Sequence, residues 1–357
     1  MISKEFFENI ELAAKERGVT VEQELKAVEE GMVKAYKKAT GNPAAYVKFD
    51  FEKNEILMFA EMLVVDEIDE EAEVEMKQIT LQEAKAINSR CKVGQVLTIK
   101  IDPKKDLGRQ AVSTGKQTFN QSVRNSEKQN ITEYFKKCEN EMIDAEVVKR
   151  DEKGATLLLA NNYTTFLPAK EILANDRFEK GAHIKVYLVS VIDTTKGPEI
   201  KVSRSDKNLV KRLMEDSIPE IAEGIIQIMG IARDAGDRSK VSIYSSDPNV
   251  DAIGSCVGEK GQRINGIVNA LNGEKIDLYQ YSSVPEELIA NSLQPATVLA
   301  VIDVDPKAKT SLAIVPDDQL SLAIGKAGQN VRLAVQSCGW KIDIKSESDA
   351  KAEGRSF

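Results

Sequence analysis

Val257-Gly258-Glu259-Lys260-Gly261-Gln262-Arg263-Ile264 returns as Ile324-Gly325-Lys326-Ala327-Gly328-Gln329-Asn330-Val331, 67 positions further on. The flanks repeat as well. An alternating apolar stretch precedes each copy, Val241-Ser242-Ile243-Tyr244 in one and Ser311-Leu312-Ala313-Ile314-Val315 in the other. Lys-Ile-Asp and an aliphatic residue follow each, at Lys275 to Leu278 and Lys341 to Ile344. One G-x-x-G carries little information, but two in matching frames imply a duplicated unit.

In each copy an aliphatic residue ends one helical pattern before the first glycine, and another pattern starts after the second. Glycine permits the positive φ of so tight a turn. Lacking a Cβ, it also lets a sugar-phosphate backbone lie against the loop. The free N–H groups of the next helix favour a phosphate at the same place. Lys260 and Lys326 add charge inside the loops, and Arg263 and Arg332 follow on the next helices. This unit resembles the KH domain, whose glycine loop clamps about four backbone nucleotides of single-stranded RNA.

At 357 residues the chain is too long for one ordinary core and predicts two to four domains. The net charge of −8 would be odd for a protein wrapped in nucleic acid, but the acid is unevenly placed. Asp66 to Met76 holds seven carboxylates and no base, whereas Leu320 to Lys345 holds Lys326, Arg332, Lys341 and Lys345 against Asp343. Local charge, not the total, sets phosphate contacts. The acidic run reads as a solvated face, or as a surface for a basic partner or one that keeps RNA off the N-terminal part. Cys91, Cys138, Cys256 and Cys338 lie far apart, without a C-x-x-C, so neither zinc nor a redox pair is indicated. Reduced thiols suit the cytoplasm. No apolar run approaches the roughly 20 residues of a membrane span, and Lys4, Glu5 and Glu8 around Phe6 and Phe7 exclude a signal peptide. The single histidine, His183, sits in an alternating strand and removes most catalytic designs. Gly108 to Lys116 has the wrong spacing for a P-loop, with Gln117 where Ser or Thr is needed. No enzyme, cofactor or metal is expected.

Along the chain, Phe6, Ile10 and Ala13, then Leu25, Val28, Met32 and Tyr36, recur at helical spacing. Strands follow at Ala45 to Phe51, Glu55 to Leu63, Val64 to Ile68 and Val96 to Ile101, with a short helix over Leu81 to Asn88. A long helix runs from Gly108 to about Lys137, with Val112, Phe119, Val123, Ile131 and Phe135 as core anchors. Residues 138–204 change to short strands: Met142 to Lys149, Ala155 to Leu159, Thr164 to Leu167, Ile184 to Ile192 and Glu199 to Ser203. Five strands in so short a stretch predict a small closed barrel. Its last strand, Ile200 to Arg204, resembles the S-one kind of OB barrel, an RNA-binding module. Tyr163, Phe166 and Tyr187 are its candidate stacking rings, unless they fill the barrel.

The whole order resembles the NusA family of bacterial transcription elongation, termination and antitermination factors. The motifs that carry this are Ser246-Asp-Pro-Asn-Val-Asp251, Cys256-Val-Gly with Gly-Gln-Arg-Ile264, Gly273-Glu-Lys-Ile-Asp277, Val315-Pro-Asp-Asp-Gln-Leu-Ser-Leu-Ala-Ile-Gly-Lys326 and Gly339-Trp-Lys-Ile-Asp-Ile344. The fold class is then an α+β multidomain chain. It comprises a mixed α/β N-terminal domain with a long helix (1–136), a five-stranded OB-type β-barrel of the S-one kind (137–204), two tandem type II KH domains (205–280 and 281–348) and a polar tail (349–357) that frays. The resemblance is to a short form ending after the second KH domain, without the acidic repeats of some relatives.

The resemblance implies a non-catalytic factor that docks on RNA polymerase near the RNA exit and holds nascent single-stranded RNA. It implies effects on pausing, intrinsic termination and antitermination alongside other Nus factors. The RNA-binding candidates are Gly258, Glu259, Lys260, Gly261, Arg263, Gly325, Lys326, Ala327, Gly328, Gln329, Asn330, Arg332 and Phe166. Three departures qualify them. Ala327 stands where many relatives are basic or small, Glu259 puts an acid in the first loop, and Gly266 softens the following helix by roughly 1 kcal/mol. The alternatives are an accessory factor of RNA degradation and a protein of ribosome assembly. On this reading, Asp at Gly258 or Gly325 weakens RNA binding without unfolding the chain. RNA affinity has a salt slope of a few units, and polymerase binding and RNA binding separate between residues 1–135 and 138–348.

Overall fold

The computed structural model describes residues 5–69, 75–195 and 197–357. Glu70, Glu71 and Glu73 of the acidic run lie outside them. The chain forms two compact units, Met1–Tyr134 and Phe135–Phe357.

In the first unit, α1 (Glu5–Arg17) and α2 (Val21–Thr40) lead into β1 (Ala45–Asp50), β2 (Glu55–Val65) and β3 (Lys77–Thr80). Then come α3 (Leu81–Ile87), β4 (Val96–Ile101), α4 (Pro103–Asp106) and α5 (Arg109–Lys137). Thr20 and Gln23 make a reciprocal capping box that starts α2, and Gly41 at φ 77° ends it. β2 is one strand where the sequence suggested two. β1 and β4 pair it antiparallel, and β3, which the sequence did not reveal, pairs it parallel. Tyr36 of α2 packs on Val47, Met58, Ala60 and Ile101 of this sheet. Gly31 and Gly115 let α2 and α5 touch: a Cβ on Gly31 would lie 2.8 Å from the Gly115 carbonyl oxygen. The P-loop lookalike runs into the first turns of α5. Of the expected anchors on that helix, Val123 and Phe135 are buried, but Val112 is exposed.

The second unit opens on a barrel of five antiparallel strands, β5 (Met142–Asp151), β6 (Gly154–Leu158), β7 (Thr164–Pro168), β8 (His183–Thr194) and β9 (Gly197–Ser203). They lie in the order β7-β6-β5-β8-β9. Thr165 Oγ1 donates to the Ile200 carbonyl at 2.5 Å and Tyr163 Oη to that of Pro198, so the outer strands nearly close the ring. Val147, Leu157, Leu167, Val186, Leu188, Ile200 and Val202 fill it.

The first repeat comprises α6 (Lys207–Ser217), α7 (Pro219–Ala222), β10 (Ile226–Asp234), β11 (Arg238–Ser245), α8 (Ala252–Val257), α9 (Gln262–Ala270) and β12 (Lys275–Gln280). The second comprises α10 (Pro285–Ser292), β13 (Ala300–Asp305), β14 (Thr310–Val315), α11 (Leu320–Ile324), α12 (Gln329–Cys338) and β15 (Lys341–Ser346). Both sheets have one topology: the middle strand pairs antiparallel with the strand before it and parallel with the last. The first part of the expected frayed tail is instead a helix, α13 (Glu347–Ala352), and residues 353–357 follow it without regular structure. The Ser346 side chain caps the helix and Ala350 packs it down.

Barrel and first repeat are tied by buried charge. Arg204 Nε and Nη2 each lie 2.7 Å from the Asp176 carboxylate, and Nη2 also donates to the Ala270 carbonyl at 3.2 Å. Asn272 Nδ2 donates to Asp176 Oδ1 at 2.6 Å. Removing either member of such a pair strands the other without water, at a cost of about 3–5 kcal/mol.

The first repeat's sheet is covered on both faces. Val241 and Ile243 join the core beneath α6 and α9. Lys240, Ser242 and Tyr279 are buried too. Tyr279 belongs to the second repeat's core and donates to Ser337 Oγ at 2.9 Å. A Cβ on Gly230 would collide with the Ser337 carbonyl, so glycine lets α12 lie against β10.

Candidate nucleic-acid interface

The two glycine loops have nearly the same backbone. Gly258 sits at φ 73°, ψ 175° and Gly325 at φ 77°, ψ 171°. Lys260 and Ala327, at φ 52° in both loops, and then Gly261 and Gly328, at φ 78° and 73°, are left-handed. The first glycine of each loop lies in a region open essentially to glycine alone. A Cβ on Gly325 would lie 2.7 Å from the Asn330 amide nitrogen, and one on Gly258 would lie 2.7 Å from the Arg263 side chain. This bears on the expectation that Asp there weakens RNA binding and leaves the fold alone: Asp at Gly258 or Gly325 also strains the fold itself. Gly328 has open space, so its requirement is weaker.

The loops present Glu259 and Lys260, and Lys326 and Ala327, to solvent. α9 and α12 begin directly after them, and no side chain caps either first turn. An anion brought to either loop therefore meets an ammonium and a helix N-terminus together.

The remaining candidates on the helices are engaged inside the protein. Arg263 Nη1 lies 2.8 Å from Glu220 Oε2 and donates to the Ser255 carbonyl at 2.8 Å. Its own backbone N–H, and then Arg263, hold the Glu220 carboxyl below the usual carboxylate range. Asn330 occupies the equivalent position. It is buried, and its Nδ2 donates to the Ala323 and Leu293 carbonyls at 3.0 Å each. Both side chains bind the turn back onto the preceding helix. Gln329 Nε2 donates to Asp234 Oδ2 at 2.8 Å and to Asp237 Oδ2 at 2.6 Å, and Arg332 Nη2 lies 2.7 Å from Asp234 Oδ2. These contacts dock α12 on the β10–β11 turn.

Sequence reasoning missed the groove beside the first loop. Val257 and Ile264 form one side, β12 supplies Ile276 and Leu278, and Gln294 to Val298 of the second repeat close the other side of a space of about 700 Å3. Val257 at the end of α8, repeated as the exposed Ile324 at the end of α11, was the available signal. On the barrel, Phe166 is exposed and shares a surface with Val189, Lys170 and Lys201. Tyr187 is buried, donates to Asn140 Oδ1 at 3.1 Å and is not available for stacking. Tyr163 is half-buried against Phe135, with centroids 5.8 Å apart. Among the described residues no cluster of His, Cys, Asp and Glu could hold a metal, and no helix is long and apolar enough to cross a membrane.

Three family models match: the NusA N-terminal domain over residues 5–129, the NusA-like first KH domain over 204–281 and the NusA-like second KH domain over 285–352. A transcription termination/antitermination protein NusA of Bacillus subtilis is 43% identical over 99% of this chain and 94% of its own length. That of Thermus thermophilus is 38% identical over 96% and 90%. That of Rickettsia conorii is 32% identical over 99% of this chain and 70% of its own length. The solution structure of the N-terminal domain of NusA from B. subtilis is 32% identical, covers 35% of this chain and 98% of its own, and superposes with a TM-score of 0.25.

Proposed function

Because this chain belongs to the NusA family, we propose that it is a non-catalytic transcription elongation factor of the bacterial cytoplasm. It holds nascent single-stranded RNA while bound to RNA polymerase near the RNA exit, and so modulates pausing, intrinsic termination and, with other Nus factors, antitermination. The observation that carries the RNA part is the pair of glycine loops with matching backbone, each with an exposed lysine and an uncapped helix behind it. Phosphates pass over the loops, and bases turn toward the apolar groove beside Val257 and Ile264 and toward Leu322 and Ile324. Phe166, with Lys170 and Lys201, offers a further base platform.

Polymerase contact through residues 1–136 is inferred from family membership. Tethering would raise the local RNA concentration to about the millimolar range, so that weak loop contacts suffice. The test uses the full chain and its Lys260→Glu/Lys326→Glu double variant on a hairpin-pause template. The expected result is that both co-purify with polymerase and only the parent prolongs the pause. A variant that pauses as well as the parent refutes the loop assignment, and a parent that fails to retain polymerase refutes the bridging mechanism.

A further inference from the structure

We infer that Lys240 is a positioning residue for RNA: its buried ammonium holds the far wall of the groove that the two repeats share. The inference rests on the RNA-binding reading above. Lys240 lies on the middle strand β11 and is fully buried. Its Nζ donates to the Ser292 carbonyl at 2.9 Å and the Gln294 carbonyl at 2.6 Å. The first is in the last turn of α10, where a helix has carbonyls without internal partners and a partial negative charge, and the second lies just beyond the cap residue Leu293. Gln294 then leads straight into the segment to Val298 that walls the groove opposite Val257 and Ile264. One side chain of the first repeat thus holds, on either side of the Leu293 carbonyl that Asn330 binds, the backbone that leads into the groove wall.

A packing role alone does not account for this choice. Burial lowers the Lys240 pKa to about 8, with neighbouring Asp277 opposing that shift. An apolar side chain of the same length would fill the space without desolvating a charge. It would leave both carbonyls unpaired and loosen the start of the wall, which Asn330 would then hold at the Leu293 carbonyl alone. The other links between the repeats, Tyr279 to Ser337 and Gln329 and Arg332 to the β10–β11 turn, act on α12. Asn291 Nδ2 adds an exposed bond to the Gln280 carbonyl at 3.1 Å.

The test compares the full chain with Lys240→Met, using adenine, cytosine and uracil RNA homopolymers of about ten nucleotides, enough to span two units of about four each. In the variant, amide hydrogen exchange should quicken across residues 290–298. Affinity for the best-bound homopolymer should fall about tenfold, as expected if only a tenth of molecules keep the wall in place. The slope of log K against log salt should not change, because the loop lysines are untouched. Unaltered exchange overturns the inference, as does quicker exchange with affinity kept within about twofold, or a reduced slope. If Lys240→Met loses its cooperative melt, Lys240→Gln carries the same readouts. If the parent chain binds none of the three RNAs, the RNA reading itself fails, and the exchange comparison still decides whether Lys240 holds the wall.

Discussion

Arg263 and Glu220 are joined behind the first glycine loop, with Nη1 of the arginine 2.8 Å from Oε2 of the glutamate. A guanidinium placed next to a phosphate-binding turn invites reading as a phosphate ligand. Here its charge is already matched, and its stem lies against Gly258. Arg263→Gln is therefore expected to lower stability by about 1 kcal/mol, the pair being partly exposed, with the salt slope of RNA binding intact. Lys260→Gln should do the reverse, reducing the slope by about 0.7 and sparing stability. Denaturant melts and anisotropy titrations at several salt concentrations check both. Equal slopes for parent and Lys260→Gln would mean that no phosphate sits at that ammonium.

The glycines of one loop should differ in tolerance. Gly325→Ala places a Cβ 2.7 Å from the Asn330 amide nitrogen in a glycine-only conformation. It should cost about 2–3 kcal/mol. Gly328 is in the ordinary left-handed region with free space around it, so Gly328→Asn should cost under about 1 kcal/mol. Thermal melts of the two variants give the comparison, and similar losses would contradict the loop geometry.

The duplicated loop, the barrel's five strands and α5 were readable because each depends on local pattern: glycines at fixed spacing, period-two alternation, and apolar residues at three and four. What escaped depends on partners far along the chain. Lys240-Val241-Ser242-Ile243 alternates like a strand with one wet face, yet its polar face is buried under the second repeat. β3 has only four residues and gains its partner by lying beside β2. Arg263, Gln329 and Arg332 have the composition of an RNA surface, and only their carboxylate neighbours, 43 to 98 positions away, show that they are occupied. Tyr187 and Phe166 are both aromatic residues of the barrel strands. Burial of one and exposure of the other is set by the closure of the ring, not by local composition.

Phe166→Ala should weaken RNA binding by about 1–3 kcal/mol if a base stacks on that ring. Tyr187→Phe removes the bond to Asn140. It should lower stability by about 1 kcal/mol with no change in RNA affinity. Anisotropy with a single strand of about 20 nucleotides separates the two. An unchanged Kd for Phe166→Ala would take the barrel face out of the RNA path.

Cys256 makes stability depend on alkaline pH. Burial, and then the nearby Glu220 carboxylate, push its thiol up to about 12, while Arg263 acts the other way and Asp251 adds to the rise. The unfolded chain loses this proton near pH 9, and the folded protein keeps it. The unfolded state then binds fewer protons, so stability falls as pH climbs from about 9 to 12, by up to about 4 kcal/mol. Urea melts of the parent and Cys256→Ala between pH 8 and 10.5 should diverge in slope. Matching slopes would show that the thiol titrates normally.

The covered face of the first repeat bears on how the chain is made. During synthesis the first repeat leaves the ribosome before α10 and α12 exist, and Lys240, Ser242, Tyr279 and Gly230 then face water. A greasy face would be a hazard on a half-finished chain. An ammonium, two hydroxyls and a bare glycine can be hydrated while they wait. The seam between the repeats is thus one whose open face offers water polar groups, and the charge that costs desolvation on closing is the one most easily hydrated before it.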